Sequence, residues 1–429
     1  MPHDQLRIDM DRLAARLEAL AEIGGFEGPD GSRGNARLAL TDADKAGRDL
    51  VVAWMVDLGL EVRVDAIGNV FGVRAGQRND LAPVMTGSHI DTVRTGGRFD
   101  GTLGVLGGLE VIETLDAAGI VTRRPLAVAY FTNEEGARFA PDMLGSLVHA
   151  GGLALEEALD VRAIDGARLG DELERIGYAG PWPVPTADPP AAFVELHIEQ
   201  GPVLEAEGIT IGAVTGVQGI SWQELTITGQ SNHAGTTPMG LRHDAAYAAA
   251  EVAVFVRRLA GEIEGQLGTV GSLSLQPDLV NVVAARATLT VDLRNTDEAR
   301  LQLAERRLAG FLAELAESEG VTVSARRLAR FEPVVFDDAV VGLVEATAER
   351  LGCSTMRLPS GAGHDAQMLA RICPAGMIFT PSVRGLSHNP AEHTDRADLE
   401  AGANVLLQVL LDLADRAGTA PVGESSIRA

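Results

Sequence analysis

At 429 residues the chain is longer than one hydrophobic core usually serves, so two domains are the starting expectation. Its 46% hydrophobic and 22% charged content is that of an ordinary globular protein. Lys+Arg 36 against Asp+Glu 60 leaves a net charge of −24, which argues against nucleic acid and anionic membrane surfaces as partners. The first twenty residues mix charged and apolar types at helical spacing, so no signal peptide is expected. No run of 18 apolar residues predicts a membrane span. Two cysteines, Cys353 and Cys373, are too few for a disulfide framework and suit a reducing cytoplasm.

In chain order, "RLAARLEALAEIG" and "DADKAGRDLVVAWMVDLGL" carry apolar residues at i, i+3, i+4 and predict helices, the second opened by a capping box of Thr41 and Asp44. "EVRVDAIGNVFGVR" alternates as a strand. "APVMT" and "PLAVAYF" are short apolar runs between turn residues, as in buried strands of a mostly parallel sheet. Between them "GTLGVLGGLEVIETLDAAG" reads as a helix of small residues lying close to that sheet. From about residue 213 the rhythm becomes strand, helix, strand, strand, helix, strand, which is the split βαββαβ ferredoxin-like unit. Helix–strand–helix then returns through "AVVGLVEATAERLG", "GMIFTP" and "DLEAGANVLLQVLLDLADR". The expectation is an α/β domain with a mostly parallel mixed sheet flanked by helices, made of residues 1–212 and 329–429, with an α+β domain inserted at 213–328. The tail "GTAPVGESSIRA" is expected to be disordered.

Three histidines fall in acid- or glycine-rich turns near strand ends: His89 in "TGSHID", His197 in "VELHIEQG" and His388 in "GLSHNPAEH". Asp91, Asp100, Glu134, Glu135 and Glu199 accompany them. Ligands of open α/β sheets bind beyond the carboxyl ends of the strands, so this clustering marks a site. Imidazole and carboxylate donors suit zinc with a position left open for water. Three histidines and two carboxylates suffice for two ions only if one carboxylate bridges, and Asp100 beside Gly101 is the candidate. Of the adjacent Glu134 and Glu135, one can ligate while the other acts as general base. Two ions about 3.5–4 Å apart lower the pKa of a shared water and polarise a carbonyl.

"GSHIDT…GGRFDG", "TNEEGARF", "ELHIEQGPVLE", "SNHAGTTPM" and "SGAGHDAQ…GLSHNPAE" run in order from about residue 60 to 410. Together they resemble the dinuclear-zinc metallohydrolase family of aminoacylases and carboxypeptidases. More narrowly, they resemble its amidohydrolase branch of N-carbamoyl-L-amino-acid hydrolases, β-ureidopropionases and allantoate amidohydrolases. The resemblance implies that His89, Asp100 and His197 hold one ion, that Asp100, Glu135 and His388 hold the other, and that Glu134 is the base. Zinc is the implied metal, with manganese or cobalt as alternatives. Peptidase relatives commonly carry a carboxylate where His197 stands. Asp91 resembles the acid that orients a ligand imidazole.

The inserted domain resembles a lid and homodimerisation domain. By that likeness His233 supports the developing oxyanion, Asn281 and Arg294 grip the substrate carboxylate, Gln200 meets the ureido group, and the backbone of Gly361 and Gly363 lines the carboxylate pocket. The implied reaction is hydrolysis of the carbamoyl C–N bond of an N-carbamoyl-L-amino acid to amino acid, carbon dioxide and ammonia. Allantoate is the alternative substrate, and dipeptidase or aminoacylase activity ranks lower because of His197. His364 is expected to support the site rather than ligate. His3, His149, His243 and His393 are expected at the surface. The glycines of "GVLGG" lack a G-x-G-x-x-G context and predict no nucleotide site.

Overall fold

A computed structural model describes residues 5–415, so the C-terminal "GTAPVGESSIRA" segment and His3 lie outside the described residues. The chain divides into two units, one within Met1–Thr215 and Phe336–Ala429, the other Gly216–Val335. The expected boundaries at 212/213 and 328/329 cut through strands. Ile211–Val217 pairs with Ala375–Thr380, and the last strand of the inserted unit runs on to Phe331.

The larger unit is built on a mixed sheet. In spatial order its strands are Ile211–Val217, Ala375–Thr380, Ala192–Ile198, Val84–His89, Leu126–Phe131, Val70–Arg74 and Glu61–Val64, with Thr355–Ser360 pairing to the first. The four strands from Ala375–Thr380 to Leu126–Phe131 are parallel, and their antiparallel neighbours flank them. All four parallel strands are buried along their whole length, because helices cover both faces.

The helix Thr102–Ala117 packs on the strand Val84–His89 and against the helix Arg396–Asp415. Its small residues allow this approach: a Cβ on Gly104 would stand 2.6 Å from the Leu196 carbonyl oxygen. The helix Asp42–Asp57 begins where Thr41 Oγ1 accepts from Asp44 N, while Asp44 Oδ2 accepts from Leu40 N. The segment "EVRVDAIGNVFGVR" is a hairpin rather than one strand. Asp65 Oδ1 accepts from the amides of Ile67 and Asn69 and turns the chain, and Gly68 takes φ +86.

The inserted unit is a four-stranded antiparallel sheet in the order Leu267–Gln276, Arg286–Asn295, Gly219–Thr228, Thr322–Phe331. Helices Ala245–Glu262 and Glu298–Glu319 supply the rest of its core, which gathers Leu225, Val252, Leu289, Val291 and Leu308. Alternate residues of Arg286–Asn295 are buried, as expected for a sheet with one covered face. The Phe255 and Phe311 rings stack at 4.0 Å between the two helices. The connectivity is ferredoxin-like.

Candidate metal centre

Parallel strands deliver the donors to one end of the sheet. His89 is the last residue of Val84–His89, and His197 lies one residue from the end of Ala192–Ile198. Glu134 and Glu135 follow Leu126–Phe131 through Asn133, whose φ of +56 turns the chain sharply. His388 comes from the loop after Ala375–Thr380 and itself takes φ +54.

Asp100 stands at the centre. Its Oδ1 lies 3.6 Å from His89 Nε2 and 3.2 Å from His197 Nε2, while its Oδ2 lies 3.6 Å from His388 Nε2. Glu135 Oε2 is 3.1 Å from His388 Nε2. Two donor sets, His89–Asp100–His197 and Asp100–Glu135–His388, therefore share one carboxylate through different oxygens. Glu134 faces the same space, with Oε2 3.4 Å from His89 Nε2. These side chains line a cavity of about 90 Å³ together with Asp142, Gln200, Ala362, Gly363 and His364.

The donors fit divalent ions. His89 Nδ1 donates to the Asp91 carbonyl at 2.9 Å and His197 Nδ1 to the Ile198 carbonyl at 2.8 Å. Each Nε2 lone pair is thereby left toward Asp100. The Gly101 amide donates to His197 Nε2 at 3.1 Å, so that nitrogen already acts as an acceptor. Gly101 has φ +66, and a Cβ there would sit 2.4 Å from the His89 ring.

Burial pushes the Glu134 carboxyl well above its usual range, with His89 opposing. Burial also acts to raise Asp100, but in the metal-free chain the His197 and His89 imidazoles, when protonated, prevail and hold it well below the usual carboxylate range. The bond to Glu135 raises His388 to about 9.

The Asp91 carboxylate does something other than expected. It lies 4.0 Å from His89 Nδ1, and it is the Asp91 main-chain carbonyl that orients that imidazole. The carboxylate instead accepts from the amides of Glu134 (3.2 Å) and Glu135 (3.4 Å), holding both acids in register. Glu199 is buried outside the donor sets, where it accepts from the amides of Val203 and Leu204. Gln200 Nε2 donates to Asp100 Oδ2 at 2.9 Å, and its Oε1 is buried with no partner. Gly363 lines the cavity, whereas Gly361 is exposed two residues away. His149 is not at the surface: it is buried beside Phe71 and Phe131. His243 and His393 are exposed.

Sequence reasoning missed several supporting groups. Glu392 Oε1 accepts from the amides of Phe99 (2.9 Å) and Asp100 (3.2 Å), fixing the Asp100 turn, and Ser387 Oγ donates to Asp100 Oδ2 at 2.8 Å. Burial, with Asp100 nearby, pushes Glu392 up to about 8. Glu195 accepts from Ser88 Oγ (2.6 Å) and from the Ala366 amide (2.8 Å). An acid inside the apolar run "FVELHI" was a legible signal, because a buried carboxylate needs partners. His364 is buried, its ring packed edge-on 4.6 Å from that of His197 and its Nε2 2.8 Å from Ser360 Oγ.

Within the inserted unit His233 and Asn281 come together. Residues 233 and 282 form a bridge, and the Ala234 amide donates to the Asn281 carbonyl at 2.9 Å. Arg294 does not join them. It pairs in register with Ile220 and Leu267, at the opposite end of the strand from Arg286, where the Asn281 loop enters. Eight residues of strand, about 26 Å, separate those two ends. Arg294 lies over the Trp222 ring at 5.7 Å and bonds Asp292.

Residues 85–412 match the Peptidase family M20/M25/M40. The chain belongs to that family. Among its relatives is the N-carbamoyl-L-amino-acid amidohydrolase of Rhizobium meliloti, 44% identical over 415 residues, which are 96% of this chain and 99% of the relative. A crystal structure of an amidase of the hydantoinase/carbamoylase family from Burkholderia multivorans superposes with a TM-score of 0.93 at 47% identity, covering 96% of this chain and 99% of that one. A ureidoglycolate hydrolase of Arabidopsis thaliana is 35% identical over 95% of this chain and 87% of its own. Family membership and the shared-carboxylate donor sets both point to divalent metal ions. No helix among the described residues is long and apolar enough to cross a membrane.

Proposed function

We propose that the protein is a hydrolase of C–N bonds in linear amides and cleaves the carbamoyl group of N-carbamoyl-L-amino acids, with two divalent ions, zinc by preference, in a cytoplasmic setting. One observation carries the reading. Asp100 serves two donor sets with its two oxygens, and an uncommitted acid, Glu134, faces the same small cavity. The chain's likeness to carbamoyl amino-acid amidohydrolases over nearly its full length supports the substrate class.

When bound, such ions lower the pKa of a water and polarise the carbonyl under attack. In this proposal Glu134 takes the proton of the attacking water on its carboxylate and returns it to the departing amino nitrogen. The products are the amino acid and carbamate, which breaks down to carbon dioxide and ammonia. Asp91 keeps Glu134 in place through the backbone, and Gln200 turns its amide toward the ureido group. From the inserted unit, His233 and Asn281 serve the oxyanion and carboxylate at one substrate. Arg294, at the far end of the same sheet, serves another in a second copy of the chain. The edge strand Leu267–Gln276 exposes Leu267 and Leu273, and the neighbouring helix exposes Tyr247 and Val254, an apolar face suited to a homodimer.

The ureidoglycolate hydrolase relatives favour a second reading, a ureido acid such as allantoate as substrate. A panel of N-carbamoyl-L-amino acids, allantoate, ureidoglycolate and dipeptides, given to chelator-stripped protein reloaded with zinc, manganese or cobalt, tests both. Metal-dependent ammonia release from the carbamoyl amino acids is expected. Turnover of the ureido acids alone would transfer the assignment to them, and full activity without metal would end it.

A further inference from the structure

A second cavity, of about 210 Å³, lies against the sheet of the larger unit. Phe71, Val73, Met85 and Ala127 form its floor, and His149 and Trp182 wall it. Met85 and Val73 pair in register with Ala127 on its two sides, and Phe71 is two residues from Val73, so these four share one sheet face. Met85 is the second residue of the strand that ends in His89, four residues or about 13 Å away. The cavity therefore opens toward the amino ends of the parallel strands, and the metal donors stand at the carboxyl ends.

Its walls are held in place. The Ala66 amide donates to the Trp182 carbonyl and the Trp182 amide to the Val64 carbonyl, while the Thr186 amide donates to the His149 carbonyl. The Arg63 guanidinium lies over the Trp182 ring at 4.6 Å.

One group in this frame makes no side-chain hydrogen bond. His149 is 6% exposed, and neither of its ring nitrogens makes a hydrogen bond. Orphaned buried polar atoms are rare, and each asks for an explanation. Nδ1 is 3.5 Å from Asp65 Oδ2, so the proton of a neutral imidazole belongs on that side and Nε2 is left as an acceptor. Asp65 itself is engaged with the amides of Ile67 and Asn69 and with Asn69 Nδ2. A flat apolar body with one donor would fit these walls and the Nε2 acceptor.

We propose that this cavity is a second small-molecule site, which takes a flat heteroaromatic ring system bearing a ring N–H, stacked among Phe71, Met85 and Trp182 and donating to His149. The test uses the full chain loaded with zinc and two probes followed by fluorine NMR, 5-fluoroindole and its N-methyl counterpart. The first is expected to bind saturably and the second about tenfold more weakly, the scale of one lost hydrogen bond. His149→Phe should equalise the two probes. Ala187→Trp, at the exposed mouth and away from the core, should prevent binding of both. The proposal is overturned by absent or non-saturable binding, by equal affinity of the two probes for the wild-type chain, or by binding that persists in Ala187→Trp.

Discussion

Glu134 and Glu135 are chain neighbours with different surroundings, and the difference is their chemistry. Glu135 meets His388, whereas Glu134 is buried beside His89, and burial raises its carboxyl above the usual range. Glu134→Gln keeps the shape and removes the proposed base. Metal content by elemental analysis should stay near that of the wild type, while kcat falls on the order of 10²–10⁴-fold. Full activity in this variant would remove Glu134 from the mechanism. Gly101 sets a different limit, because its left-handed backbone and the His89 ring leave no room for a methyl group. Gly101→Ala should lower metal affinity on the order of 10–100-fold by displacing His89, with the circular dichroism spectrum retained. Unchanged metal titration would show that the turn has slack.

At the scale of elements, the helix Asp42–Asp57 ties the rim of the sheet together from inside. Arg48 bonds Asp44 at 2.8 Å with both side chains fully buried, and it reaches the Gly68 carbonyl and Thr132 Oγ1 just ahead of Asn133 and Glu134. Arg48→Met leaves the Asp44 charge buried without its counterion. Denaturant unfolding should show a loss of about 3–5 kcal/mol, and a loss below about 1 kcal/mol, as for exposed pairs, would mean that water replaces the guanidinium. The same element shows how much was readable beforehand. Its period and its Thr41 cap are local properties of adjacent residues. The hairpin at Asp65 reads in sequence as one strand because both arms alternate, and the turn depends on a side chain accepting from amides two and four residues on.

For the whole molecule, the separation of Arg294 from the His233–Asn281 pair bears on assembly. In the proposed dimer each substrate draws Arg294 from one copy and His233 from the other. His233→Ala and Arg294→Ala should each be nearly inactive alone. Mixed under subunit exchange, half of the dimers carry one variant of each kind and one of their two sites is intact, so about a quarter of wild-type activity should return. No recovery would show that His233 and Arg294 reach a substrate from the same copy, and a monomer by light scattering would show that each copy works alone.

Much of the protein was legible in residue order. Hydrophobic period marks helices and strands because burial acts on neighbouring residues, and the candidate metal donors are marked by imidazoles and acids set at strand ends. Other features depended on segments far apart in sequence: the division of Asp100's two oxygens between His89, His197 and His388, the use of the Asp91 carboxylate to hold the Glu134–Glu135 backbone, the burial of His149, and the distance between Arg294 and His233. Those relations are fixed by strand order, register and the packing of helices on the sheet, none of which a local pattern encodes.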